Sequence, residues 1–312
     1  MSRGLRLLAV STAGLVLCFA SPLFGLVKLA LHSELYSHIL LIPFVSLYLV
    51  WTMGILNFDL RFLIFSKAKG EPPGRSPQSE IRNQKSKILL PLAAGLLSIG
   101  AYLVLGSRMH LAPVDSLSWT VFSFFLLFVA ACCFCLDRQT LRALAFPIGF
   151  LVFITPFPGV VTDALEAFLQ HRSADAAELL FGLVGTPLLR HDVAFQLPGF
   201  SLQVAPECSG IRSTLVLFIT SLVAGQLFLR TPWKRALFAL LVVPLGIFRN
   251  AFRIVTIGEL CVHLDPSYID SPIHHRGGPV FFVISMVPFL LLLWYLRRTD
   301  MKGESGKMKA EN

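Results

Sequence analysis

Charge is scarce in this chain. Only 14% of its 312 residues are Asp, Glu, Lys or Arg, whereas 55% are hydrophobic and the mean hydropathy is +0.71. These proportions exclude an ordinary soluble domain, and several apolar runs approach the ~20 residues that cross a bilayer. Long polar stretches are equally scarce. Asn57 to Lys87, with EPPGRSPQSEIRNQKSK at its heart, is the one hydrophilic interruption of any length, and its Pro, Gly, Ser and Lys content buries too little to fold alone. Metal-site patterns are missing as well: no H-E-x-x-H occurs, and Cys132, Cys133 and Cys135 lie in an apolar run without the polar ligands of a zinc site. There, and at Cys18, cysteine reads as a small hydrophobe. No metal and no cofactor is therefore expected. The excess of 27 basic over 18 acidic residues leaves a net charge of +9, but the basic residues fall in alternate loops, which argues against a nucleic-acid partner.

What is present is a series of spans. Leu7 to Leu31 follows Arg3 and Arg6 and runs about 25 residues, longer than the ~7–15 of a signal-peptide core and without a small-x-small exit, so it reads as the first span. Further spans are expected at Ser37 to Leu56, Ile88 to Leu105, Leu117 to Leu136, Leu141 to Pro156, Leu215 to Leu229, Ala236 to Ile257 and Val280 to Tyr295. The fold class is then all-α and polytopic, one domain over 1–296 of about eight transmembrane helices. Between the fifth and sixth spans, DALEAFLQHRSADAAELLFGLVG has the spacing of an amphipathic surface helix. VAFQL and FSLQV around Pro198-Gly199 alternate like a small hairpin. The N-terminus, the 57–87 linker, Asp137 to Arg142, Arg230 to Arg235 and the 297–312 tail hold most of the basic residues. By the positive-inside rule these are cytoplasmic, which places both termini inside and the 159–211 segment outside.

The stretch Val204 to Thr214, VAPECSGIRST, sets Cys208 in a polar turn at the mouth of a span, flanked by Glu207, Ser209, Gly210 and Arg212. Small residues permit a sharp turn there, and a nearby guanidinium favours the thiolate. Ionisable residues at membrane depth are costly, roughly 2.5–3.5 kcal/mol each, and default to a functional reading. GIFRNAFRIV places Arg249, Asn250 and Arg253 near the outer end of the seventh span, with Asn250 and Arg253 on one helix face. The bland alternative is that Arg253 snorkels or pairs with Glu259 or Asp265. SPIHHRGGPVFF brings His274 and His275 to the same side before the last span. In this set Cys208 attacks a peptide carbonyl, one histidine activates the thiol and protonates the leaving amine, and Arg253 stabilises the oxyanion or grips a substrate carboxylate.

At these residues the chain resembles the exosortase/archaeosortase family, multi-pass membrane proteins regarded as cysteine transpeptidases of protein sorting. The matching pieces are SHILLIPFVSLYLVW, FPIGFLVFITPFP, LPGFSLQVAPECSGIRS, RNAFRI and HHRGG, spread from Ser37 to Phe282. The resemblance implies a catalytic set of Cys208, Arg253 and His274, the last because His-x-x-x-Gly fits His274 and Gly278. His275 is adjacent and stays an alternative, and Asn250, Arg212 and Glu207 are supporting candidates. Pro279 stands where the resemblance leads one to expect an aromatic residue. The implied partners are exported proteins with a C-terminal Pro-containing motif, an apolar helix and a basic tail, together with membrane lipids. They are cleaved at the outer face of a prokaryotic cytoplasmic membrane and transferred to a surface, exopolysaccharide or lipid acceptor. Two other readings remain open. One is a metal-dependent protease using His263, His274 and His275; the other is a transporter or anion-binding membrane protein, for which the paired broken helices of internal repeats are lacking.

Overall fold

The computed structural model describes residues 3–52, 112–204, 209–265 and 278–311, with short pieces between 92 and 99. Glu207, Cys208, His274, His275, the 57–87 linker and most of the expected span Ile88 to Leu105 lie outside the described residues. The chain is mostly helical and divides into two compact units, Met1–Val161 and Thr162–Asn312. Among the described residues four helices are long and apolar enough to cross a membrane, or up to six if each of two bent pairs is one span.

In the first unit, α1 (Arg3–Cys18) and α2 (Ala20–His32) meet at a 74° bend, where an unbroken span was expected. Pro22 accounts for the break: it has no N–H for the Cys18 carbonyl, and its ring crowds that carbonyl. A 3₁₀ turn, Ser37–Leu40, leads into α3 (Ile42–Thr52), and α4 (Pro113–Cys135) opens with proline in its first turn. Asp137 caps α5 (Arg138–Ala143), accepting from the amides of Gln139 and Thr140 at 3.0 Å and from the Thr140 hydroxyl at 2.6 Å. Burial pushes its carboxyl up, but these donors outweigh that and hold it below the usual carboxylate range. The continuous helix expected over Leu141 to Pro156 is instead divided among α5, α6 (Ala145–Phe150) and a 3₁₀ turn (Leu151–Ile154). Pro147 has no amide to offer the Ala143 carbonyl, so α5 stops there. Side chains tie these pieces together. Ser46 donates to the Pro147 carbonyl at 2.9 Å, Tyr36 to the Phe157 carbonyl at 3.1 Å, and the Gly159 amide to Asp115 at 2.6 Å.

The second unit holds α7 (Gly159–Val184), whose faces divide by size as much as by polarity. Leu169, Ser173, Ala174, Ala177 and Phe181 are buried, whereas Leu165, Phe168, Leu179 and Leu183 are exposed. The small residues let a neighbouring helix come close: a Cβ on Gly258 would lie 2.6 Å from the Phe181 ring. Three short strands follow, β1 (Leu189–His191), β2 (Ala194–Leu197) and β3 (Phe200–Gln203), antiparallel in the order β1-β2-β3. Leu197 pairs with Phe200 across Pro198-Gly199, and Gly199 supplies the φ of +87° that this turn requires. Strand β1 has little apolar alternation and was not expected. Arg190 fastens it, donating to Glu178 at 2.7 Å and Asp175 at 2.8 Å on α7 and to the Asp192 carbonyl at 2.6 Å.

α8 (Ile211–Phe228), α9 (Pro232–His263) and α10 (Gly278–Glu311) complete the unit around Leu217, Phe238, Val242, Phe289 and Leu293. The α8–α9 connection is closed by a buried carboxylate that the sequence did not single out. Asp300 accepts from the Arg230 amide at 2.8 Å, the Thr231 amide at 3.3 Å and the Thr231 hydroxyl, and pairs with Lys234 at 3.1 Å. A negative charge at the start of α9 suits the helix dipole.

Candidate active site at the start of α8

The site is built where β3, the first turn of α8 and one face of α9 come together. Phe195, Leu197, Leu202 and Val204 are buried against Ala251, Ile254 and Val255 of α9, so the sheet delivers the chain to α9 at Val204. The Gln170 side chain donates to the Val204 carbonyl, and the Val204 amide donates to the Val193 carbonyl at 3.0 Å, which holds that end. The chain is described again at Ser209, which is 1% exposed, and Gly210, the residue that caps α8. Gly210 has φ +78°, a conformation that costs an L side chain about 1–2 kcal/mol. Space is tight there too: a Cβ would stand 2.9 Å from Arg249 Nη2, the movable end of a long side chain, and 3.2 Å from Asn250 Oδ1.

α9 presents a stripe of Gly246, Arg249, Asn250, Arg253, Ile254 and Ile257 at helical spacing. Gly246 permits the approach of the two helices, since a Cβ on it would lie 2.5 Å from Thr214 Oγ1. Arg249 Nη2 then donates to the Gly210 carbonyl at 3.4 Å, an oxygen that also accepts from the Thr214 amide at 3.0 Å and the Ser213 hydroxyl at 3.2 Å. Asn250 is 2% exposed, and with half-buried Arg253 it lines a small cleft completed by Leu202, Gln203, Val204, Ile254 and Ile257. A guanidinium and an amide facing one cleft beside a helix N-terminus make an anion-binding arrangement.

The family model of transmembrane exosortase (exosortase EpsH) matches residues 30–291. The chain belongs to the transmembrane exosortase family. No curated protein and no solved structure matches it.

Membership in this cysteine-dependent transpeptidase family supports a sorting role in general. Of the exosortase residues expected to act, Asn250 and Arg253 are brought to one cleft, and Arg212 is exposed on the first turn of α8. Cys208, Glu207, His274 and His275 lie outside the described residues. Glu259, weighed as a partner for Arg253, accepts at one oxygen from the Thr186 hydroxyl at 2.5 Å and pairs at the other with His263 at 3.0 Å. Sequence reasoning noticed Arg249 only as a charge at membrane depth. Its contact with Gly210 was missed, although the small residue one turn before it, Gly246, marks where α9 comes close to another helix.

Proposed function

We propose that this exosortase is a cysteine transpeptidase that cleaves C-terminal sorting signals, with Cys208 as nucleophile, His274 as general base and acid, and Arg253 binding the oxyanion. His275 is the alternative histidine, and Asn250, Arg212 and Glu207 support the site. The observation that carries the reading is the meeting of Asn250 and Arg253 with the end of β3 in a chain whose family uses a catalytic cysteine. In the sequence Cys208 stands one peptide bond, about 3.8 Å between Cα atoms, before Ser209, the residue that precedes the helix cap Gly210.

In the reaction, imidazole takes the thiol proton and the thiolate attacks the scissile carbonyl carbon. Charge develops on the carbonyl oxygen, where Arg253 and Asn250 donate to it. The C–N bond breaks, the leaving amine takes the proton from imidazolium, and a thioester remains. An acceptor hydroxyl or amine then gives its proton to imidazole and attacks the thioester, which releases the thiolate. About eight spans with both termini cytoplasmic would place this cleft on the outer face of a prokaryotic cytoplasmic membrane. The substrate's apolar helix lies among the spans and its basic tail stays inside, which sets the depth of its Pro-containing motif. Binding of that remote helix positions the scissile bond. The acceptor is a surface, exopolysaccharide or lipid group.

Co-expression of a tailed substrate with wild type, Cys208→Ala, Arg253→Ala, His274→Ala and His275→Ala tests the assignment. The C-terminal mass shift of the substrate is expected to vanish in Cys208→Ala, Arg253→Ala and one histidine variant at equal expression. Processing that survives in Cys208→Ala refutes the nucleophile and leaves an anion-binding membrane protein.

A further inference from the structure

The end of the second unit where α8 turns into α9 is strongly basic. Arg230, Lys234, Arg235, Arg297 and Arg298 fall in the stretches 226–237 and 290–300, against one acid, Asp300. That acid is already answered: it is buried, accepts from the Arg230 and Thr231 amides and pairs with Lys234 at 3.1 Å. Arg235 is turned inward, donating to the Leu229 carbonyl at 2.8 Å and to Gln226 at 2.5 Å. What faces outward is therefore cationic: Arg230, Arg297 and Arg298 are exposed. Tertiary contacts gather them. The Arg230 amide donates to Asp300 at 2.8 Å, which fixes Arg230 against α10 one turn beyond Arg297. From the other side, the Arg297 guanidinium lies over the Phe228 ring, 5.8 Å from its centroid, so it reaches the end of α8 two residues before Arg230. Arg298 is held over Trp294 at 5.2 Å. A guanidinium resting against a ring keeps N–H groups at its edge for an acceptor.

These cations close an apolar face. On α10, Val283, Val287, Leu290 and Trp294 are exposed and recur at three- and four-residue intervals, a stripe that ends at Arg297. Leu227 and Phe228 are exposed at the end of α8, and Trp233, Trp294 and Tyr295 are exposed at the junction, the residue types that settle at headgroup level. Charge decides what covers this face. The apolar helix of the proposed substrate ends in a basic tail, and a second copy packed alongside in the same orientation brings the same arginines; both meet like charge. An anionic phospholipid offers a negative headgroup followed by apolar chains, in the order that the face presents their complements. We propose that this face binds an anionic phospholipid, whose phosphate accepts from the Arg230 and Arg297 side chains while its acyl chains lie along Val287, Leu290 and Trp294. The inference goes beyond the sorting reaction and does not depend on the assignment of its catalytic residues.

Its test needs no sorting substrate. Full-length protein is reconstituted in nanodiscs of equal parts phosphatidylglycerol and phosphatidylcholine and released into mild detergent, and native mass spectrometry counts the lipids retained. Phosphatidylglycerol is expected to be retained in preference. Arg230→Gln and Arg297→Gln are each expected to lower that preference about fivefold, and the double variant about twenty-five-fold, the scale for one and two basic residues at an anionic surface. Arg230→Lys and Arg297→Lys are expected to keep most of it. Arg172→Gln, which removes an exposed arginine from α7, is expected to leave it unchanged. Both substituted side chains at the face are exposed, and Arg230 meets Asp300 through its amide, so the fold does not depend on them. Equal retention of the two lipids by wild type overturns the proposal without any variant. A preference that survives in the double variant, or falls equally in Arg172→Gln, overturns it as well. Release of a lipid-free dimer would also overturn it and give the face to a second copy.

Discussion

Replacing Gly246 with alanine tests whether the separation of α8 and α9 sets the geometry of the site. The added Cβ would stand 2.5 Å from Thr214 Oγ1, 2.8 Å from Thr214 Cγ2 and 3.1 Å from Thr214 Cβ. Thr214 is 6% exposed, so it has little room to turn away. Overpacking of this kind costs about 1–3 kcal/mol, offset by the roughly 0.8–1.0 kcal/mol that alanine gains over glycine in a helix. The net loss in Gly246→Ala is then between about 0 and 2 kcal/mol, too wide a range to be decisive by itself. Thr214→Ala separates the two terms, because it removes both of the atoms in closest conflict. In a double-mutant cycle the coupling isolates the clash, and it is expected to favour the pair Gly246→Ala with Thr214→Ala by about 1–3 kcal/mol. Reversible unfolding of the four proteins in mixed micelles, followed by tryptophan fluorescence, measures it. The same separation carries Arg249 and Asn250 to Gly210, so substrate processing should fall in Gly246→Ala and recover in the double variant. A coupling below about 0.5 kcal/mol, or an additive loss, would show that the helices do not meet at these two residues.

Two other outcomes follow from the polar contacts of the second unit. Asp300→Ala removes the acceptor for the Arg230 and Thr231 amides and the partner of Lys234, whose side chain is 12% exposed, and is expected to destabilise the helical bundle by about 3–5 kcal/mol in the same unfolding assay. Asp175 accepts from Arg190, which holds its carboxyl below the usual range, so its contribution is present above an unfolded value of about 3.9 and is lost as pH falls through the lower folded value. With the Asp175 side chain 44% exposed the effect is small in energy. It should be visible in hydrogen exchange as faster opening of β1 below about pH 4, and Arg190→Gln should bring that faster opening to neutral pH.

The polar face of α9 was legible because membrane depth makes polar residues conspicuous. Asn250 and Arg253 stand out in GIFRNAFRIV since a charge there is expensive, and their three-residue spacing puts them on one face whatever the rest of the fold does. The strands on either side of Pro198-Gly199 were legible for a similar reason, as strand alternation and turn chemistry are local. Hydropathy was a weaker guide to the spans. Leu7 to Leu31 reads as one apolar run, but Pro22 bends it, and Leu141 to Pro156 is divided at Pro147. A window average does not register the loss of a single backbone donor.

What the sequence alone determined is the class of the molecule: a polytopic helical protein carrying the pieces of an exosortase. The helical membrane class follows from composition and the family from short local motifs, and both survive any arrangement of the helices. Only the tertiary structure decided that Gly246 lets α9 meet Thr214, that Gly210 is left-handed and lies against Arg249 and Asn250, and that Arg249 holds the Gly210 carbonyl. It likewise decided that Asp300, 70 residues beyond Arg230, closes the turn into α9. Each of these depends on the distance between residues far apart in the chain, and that distance is set by how side chains fill the space between helices.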